Sequence, residues 1–278
     1  MSLEQTFLAE LLDAIKNDRL TLPTLPEVAL RIREAVEDPE ATSSAIANEI
    51  AKDAALAARV IKVANSPLLR GRIAVDNLQL AITRMGIAFV RNLATGLAME
   101  QMFQATNDQV DARLRETWEH SIEVASICQV LASHYTDLKP DQAMLAGLVH
   151  EIGTLPILTC AEDTPDILEH KGILEKVIHR LHPKIGAAIL KTWDFPPELV
   201  AIPMGYLDFE RTHEGPADYV DLVTVANLQS YAGSNHRLSQ VDWNTVPAFK
   251  KLGMSPEVDV HDVDELAEDL SVARSALS

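Results

Sequence analysis

The sequence predicts an all-α fold, and three observations carry that prediction. The composition favours helix, rich in alanine and leucine, with only 11 Gly and 5% aromatics in 278 residues. Apolar residues recur at helical spacing along most of the chain. Start and stop signals punctuate those periods. At this length folding buries roughly 75% of the extended chain's surface, so a sizeable core is expected.

In chain order, Leu3, Phe7, Leu8, Leu11, Leu12 and Ile15 give a first helix over 3–17, ended by Asn17-Asp18. Thr24 with Glu27 three residues later reads as a capping box, with Pro26 in the first turn of a helix to about Glu37 that Asp38-Pro39 stops. Ser43 or Ser44 caps a helix to about Lys52, and Asp53 caps the next, Ala54 to Ala64, which Asn65-Ser66-Pro67 ends. After a loop through Gly71, Asp76 caps 78–85, and Gly86 separates it from a long apolar helix over 87–103. Residues 104–111 read as a polar connector. A long helix then spans 114–134, with His120 on or beside its buried face.

Asp141 to Leu158 is the stretch around which the rest is arranged. Pro140 opens it, and Met144, Leu145, Leu148, Val149, Ile152 and Leu155 cover more than one stripe, so it should be a helix buried on all sides. Gly147 and Gly153 would let neighbours approach closely. A short acidic helix within 161–170, a helix over 173–192 broken by Asp194-Phe-Pro-Pro197, and short helices over 198–207 and 246–252 follow. Residues 217–231 and an amphipathic last segment, 262–277, complete the helices. No fixed-period repeat or long linker divides the chain. The expected organisation is an N-terminal helical lobe over 1–108, a helical core over 109–235 and a C-terminal extension over 236–278.

Charge narrows the function. Against 24 Lys and Arg stand 41 Asp and Glu, a formal −17 that repels nucleic-acid backbones and anionic membranes. A helix-turn-helix reading of residues 43–66 is disfavoured on that ground. The N-terminus lacks the basic flank and apolar run of a signal peptide, and no stretch reads as long enough for a membrane span. Cys128 and Cys160 form no motif, so a reduced, cytoplasmic protein is expected.

Nine His and 41 acidic residues predict about 1.3 His-acid dipeptides by chance. His213-Glu214 and His261-Asp262 lie in polar surroundings, whereas His150-Glu151 is embedded in the apolar helix, where both groups need partners or an ion. His120 on the preceding helix and His182 on the following one are candidates to join them. Such a set suits Zn, Mn or Fe, which could polarise a phosphate and lower the pKa of bound water. The alternative is that each histidine is simply hydrogen-bonded in the core.

Leu22-Pro-Thr-Leu-Pro26, Lys52-Asp-Ala-Ala-Leu-Ala-Ala-Arg-Val-Ile-Lys-Val-Ala-Asn-Ser66, Leu80-Ala-Ile-Thr-Arg-Met-Gly86 and Val90-Arg-Asn-Leu93 resemble, in order, the signatures of the HDOD family of bacterial signalling domains. The resemblance runs over roughly 15–235 and implies an HD-domain-like multi-helix core with an N-terminal helical lobe, similar to the HD and HD-GYP metal-dependent phosphohydrolases. By that resemblance His120 matches the first HD histidine and His150 the His of the His-Asp pair. Glu151 stands in place of the Asp, its carboxylate displaced by about 1.5 Å. His182-Pro-Lys-Ile-Gly186 resembles the His-Pro-x-x-Gly motif of HD-GYP proteins, whose later motifs are missing from Ile202-Pro-Met-Gly-Tyr-Leu207. Asn227 replaces the terminal Asp ligand.

The resemblance therefore implies a non-catalytic signal-transduction module acting on other signalling proteins, with no cofactor. A phosphohydrolase using a divalent Mn, Fe, Zn or Mg ion at the altered site is the alternative. Asp53, Arg59 and Asn65 in the most family-like run are candidates for a partner-facing or structural patch, and a small ligand between the lobes stays open.

Overall fold

The computed structural model describes residues 3–17, 19–38, 42–66, 69 and 74–277; the stops read at Asp18, Pro39 and Pro67 and the loop through Gly71 lie outside them. The fold is helical throughout, with no strand among the described residues. The N-terminal part comprises α1 (Leu3–Lys16), α2 (Glu27–Glu37), α3 (Ser43–Ala51), α4 (Ala54–Ala64), α5 (Leu78–Met85) and α6 (Ile87–Met99). The central helices are α7 (Asp108–Tyr135), α8 (Pro140–Val149), α9 (Thr154–Glu162), α10 (Pro165–Glu169) and α11 (Lys171–Thr192). Then come α12 (Pro197–Val200), α13 (Ile202–Gly205), α14 (Tyr219–Ser230), α15 (Pro247–Leu252) and α16 (Asp264–Leu277). Helix α8 lies between α7, α14 and α6, α1 packs on α10 and α11, and α16 bridges α7 and α4, so one apolar core runs through all of them.

Helix starts follow side-chain caps, though not always those expected. Asp53 accepts the Leu56 N–H at 3.0 Å as read. Thr42 rather than Ser43 or Ser44 caps α3, through Ala45 N–H at 3.1 Å, and Asn77 rather than Asp76 caps α5, through Leu80 N–H at 2.9 Å. In both, burial of the apolar face fixes the helical register, and the cap falls to whichever side chain that register leaves at the end. The Thr24–Glu27 capping box does not form. Pro26 is the N-cap without a side-chain bond, because 22–26 is an extended strap tied to the core by Trp193 Nε1–H donating to the Pro23 carbonyl at 2.9 Å. Helix α7 begins six residues before the expected Leu114, since Asn107 accepts from Gln109 and Val110 N–H at 3.0 and 3.2 Å and turns the polar connector into a first turn.

The largest departure is in the centre, where the single helix expected over 141–158 is two. Pro156 cannot donate to the carbonyl of residue 152 and its ring would strike it, so the chain turns over 150–153 and restarts at Thr154. That break puts His150 and Glu151 on a turn rather than a helix face. Taken together, Pro140–Glu162 is long and apolar enough to span a membrane (mean hydropathy 1.4), contrary to the sequence reading, but 83% of that window is buried inside the fold. The residues expected as one helix over 198–207 likewise split, at the α12–α13 junction, with Pro197 and Pro203 each in a first turn.

Asp53, Arg59 and Asn65 spend their side chains within the fold. Asn65 brackets Val75, donating to its carbonyl and accepting its N–H, both at 2.7 Å. Arg59 pairs with Glu100 and donates to the Leu277 carbonyl, tying α4 to the end of α16. All three side chains thus make structural contacts, while Arg59 Nε is buried without a partner.

Candidate functional site

All five residues singled out from the HD resemblance are held by helices of the core or the turn between them. His120 projects from the middle of α7, His150 caps the end of α8, His182 precedes Pro183 in α11, and Asn227 lies near the end of α14. Glu151 follows His150 on the turn. His150, His182 and Asn227 are 0%, 2% and 1% exposed, and His120 and Glu151 are half-buried.

The hydrogen bonds divide the site into two knots. In the first, His120 Nε2 lies 3.1 Å from Asn227 Oδ1 and 3.3 Å from the Tyr231 hydroxyl, with the His120 and Tyr231 rings stacked at 4.8 Å. An Nε2–H donating to the amide oxygen satisfies the closer contact and leaves that nitrogen no lone pair. In the second, the Tyr206 hydroxyl donates to Glu151 Oε1 at 3.4 Å and lies 3.3 Å from His182 Nε2. His150 joins the two knots, its ring edge-on to His120 at 5.2 Å and to Tyr206 at 5.0 Å.

His150 itself is set up differently. Its Nδ1–H donates to the Gly147 carbonyl at 2.6 Å, which fixes the tautomer and leaves Nε2 as a bare acceptor. That Nε2 is buried without a partner, as are His182 Nδ1 and Asn227 Nδ2. Burial holds His150 neutral by lowering its pKa to about 4, against the opposing pull of Glu151. Burial likewise lowers His182 to about 3, with His179 adding to it. Tyr206 and Tyr231 are pushed up, first by burial and then by the Glu151 charge, so both stay hydroxyl donors.

His120, His150 and Glu151 offer ligand atoms within 4.8 Å of one another. Two imidazoles and a carboxylate are the donor types of a three-ligand site for a divalent ion. Their availability does not match their type. His120 Nε2 is engaged by Asn227 and Glu151 Oε1 accepts from Tyr206, so of the two histidine Nε2 atoms in this set only that of His150 presents a free lone pair. Asn227 supplies no charge where the resemblance places an Asp, leaving Glu151 as the single carboxylate of the set. As they stand, these residues do not fit a resident metal. The other compact group, His213 with Asp218 and Asp221, is a structural knot. Arg211 bonds to both carboxylates at 2.6 to 3.1 Å, and the two aspartates form the capping box of α14.

The profile of the HDOD domain matches residues 22–204. The chain belongs to the HDOD domain family. This HDOD chain is 33% identical to a crystallised Shewanella amazonensis protein provisionally named a metal-dependent phosphohydrolase, with a TM-score of 0.88 over 100% of both chains. It also matches an HDOD domain protein of unknown function from Geobacter sulfurreducens (22% identity, TM-score 0.65, 98% and 96% coverage). A third structure, a provisionally named signal transduction protein from Marinobacter aquaeolei, matches at 24% identity and TM-score 0.62, over 99% of this chain and 66% of that one. At those identities the last two establish the HDOD fold alone. An uncharacterised protein of Treponema pallidum is 23% identical over 221 residues, 74% of this chain and 42% of its own length. This HDOD chain thus spans less than half of the curated relative it matches.

Tyr206 and Tyr231 are the site residues that the sequence reading missed. Tyr231 stands four residues after Asn227, on the same helical face, and that spacing could have found it. Tyr206 is brought in from a short helix by tertiary packing and left no local signal.

Proposed function

We propose that this HDOD chain is a cytoplasmic signal-transduction module that acts through contacts with other signalling proteins, its HD-type site serving as a structural hydrogen-bond cluster. The observation that carries this reading is the bond between His120 and Asn227, which puts a neutral amide on the nitrogen that a metal would need. The Tyr206 hydroxyl extends the same pattern by donating to Glu151 Oε1, and Tyr231 stacks on the His120 ring. A cluster built this way joins α7, the α8–α9 turn, α11 and α14, and so holds the scaffold in one arrangement for a partner to meet.

A second reading, metal-dependent phosphoester hydrolysis, draws on the bare Nε2 of His150 and on the name of the Shewanella relative. Here His120, His150 and Glu151 would hold one divalent ion, which would supply Lewis-acid activation of water. Turnover of p-nitrophenyl phosphate, bis(p-nitrophenyl) phosphate and a cyclic dinucleotide, each with Mn, Fe, Zn or Mg, separates the two. The proposal expects wild type and His150→Ala to be equally inactive. Turnover that His150→Ala abolishes would favour the second reading.

A further inference from the structure

Helix α11 is charged against the trend of the molecule. It carries Lys171, Lys176, Arg180, Lys184 and Lys191 against one acid, Glu175, in a chain of formal charge −17. Glu175 is taken by Arg113 of α7. Lys176, Arg180 and Lys184 stand at i, i+4 and i+8, so they line one exposed stripe of about 12 Å. Among the described residues no carboxylate pairs with any of the three. Like charges at this spacing destabilise a helix, and no ion pair among the described residues relieves the three.

Beside the stripe runs an apolar groove of about 370 Å³ between α1 and α11, with Leu12, Ile15, Leu22, Ile185 and Ala188 in its walls and Arg180 and Lys184 at its rim. Leu12 and Ile15 are 45% and 38% exposed, two of the few large apolar side chains left open to water. The nearby Asp13 of α1 is held by Arg19 and does not neutralise the rim.

We infer that this groove receives an acidic amphipathic helix of a partner protein, its apolar face on Leu12 and Ile15 and its carboxylates, one per turn, on Lys176, Arg180 and Lys184. The inference rests on the contact-module reading and names the surface for it. A concave apolar trough flanked by a linear cationic row is the geometry of helix-in-groove recognition. A row of three cations exceeds what a single small carboxylate ligand would use. A flat anionic membrane or a nucleic acid would meet the same cations, but would also bring its charge against the rest of an acidic molecule.

The test is fluorescence anisotropy of the full chain with a labelled helical peptide of about 18 residues, carrying leucines on one face and glutamates at i, i+4 and i+8, beside a twin with lysine for glutamate. The glutamate peptide is expected to bind, more weakly at high salt, with the lysine twin and the Arg180→Glu/Lys184→Glu variant each about tenfold weaker. Ile15→Glu is expected to weaken it similarly, and all variants to melt like wild type because the changed side chains are exposed. Equal binding of the twin, unchanged affinity in both variants, or a preference for phosphatidylglycerol vesicles or duplex DNA over the peptide would overturn the groove. That failure leaves the contact-module reading to another surface, whereas His150-dependent phosphoester turnover overturns that reading whatever the peptide does.

Discussion

Lowering the pH from 6.5 to 4.5 is expected to remove about 4 kcal/mol of stability through His150 and His182. Both imidazoles are held neutral in the folded chain, His150 down to about 4 and His182 to about 3, from an ordinary 6.5. Below pH 6.5 the unfolded chain takes up protons that the folded one refuses, so stability is full above that point. It is lost as the pH falls toward those two lower values. Against a typical total of about 5–15 kcal/mol this loss is large. Urea unfolding followed across that range should show the midpoint falling steadily. His150→Asn keeps a donor for the Gly147 carbonyl but cannot titrate, and should roughly halve the slope. A stability flat from pH 6.5 to 4.5 would mean that these histidines are not sealed from water as described.

Two glycine substitutions should be comparably severe. A Cβ on Gly153 would lie 2.0 Å from the His182 carbonyl oxygen and 2.6 Å from Gly186 N, and one on Gly147 would lie 2.4 Å from Ala125 Cα. All of these are backbone atoms of packed helices, so neither neighbour can swing aside. Gly153→Ala and Gly147→Ala are each expected to cost about 3 kcal/mol or more by overpacking. Gly172→Ala, where nothing lies within 4 Å, should instead stabilise by roughly 0.4–1 kcal/mol. Urea midpoints at constant slope read all three. A Gly153→Ala chain as stable as wild type would contradict the close seating of the α8–α9 turn on α11.

Much of this arrangement was legible in the sequence. The all-round apolarity of 141–158 announced a central buried segment, and Gly147 and Gly153 announced close neighbours because nothing else in that run could permit them. His120 and Asn227, 107 positions apart and now in direct contact, were brought together by family resemblance; periodicity alone carried no pairing between them. The break after Val149 went unread because Pro156 sits among strong apolar periodicity. The apolar period there runs unbroken through the proline and masks its missing N–H. The tyrosines were unreadable for a different reason. A buried hydroxyl is placed by which helices meet, and tertiary packing has no local sequence signature.

The central claim is that neutral hydrogen-bonding groups have closed the HD-type site against a resident ion. Elemental analysis tests it most directly, on the 278-residue chain prepared without chelator and without metal-affinity chromatography, reporting moles of Mn, Fe, Co, Ni and Zn per chain for wild type and His150→Ala. The account predicts the same trace content in both. Near-stoichiometric metal in wild type that disappears in His150→Ala would contradict it, and would mean that His120 and Glu151 release Asn227 and Tyr206 to coordinate.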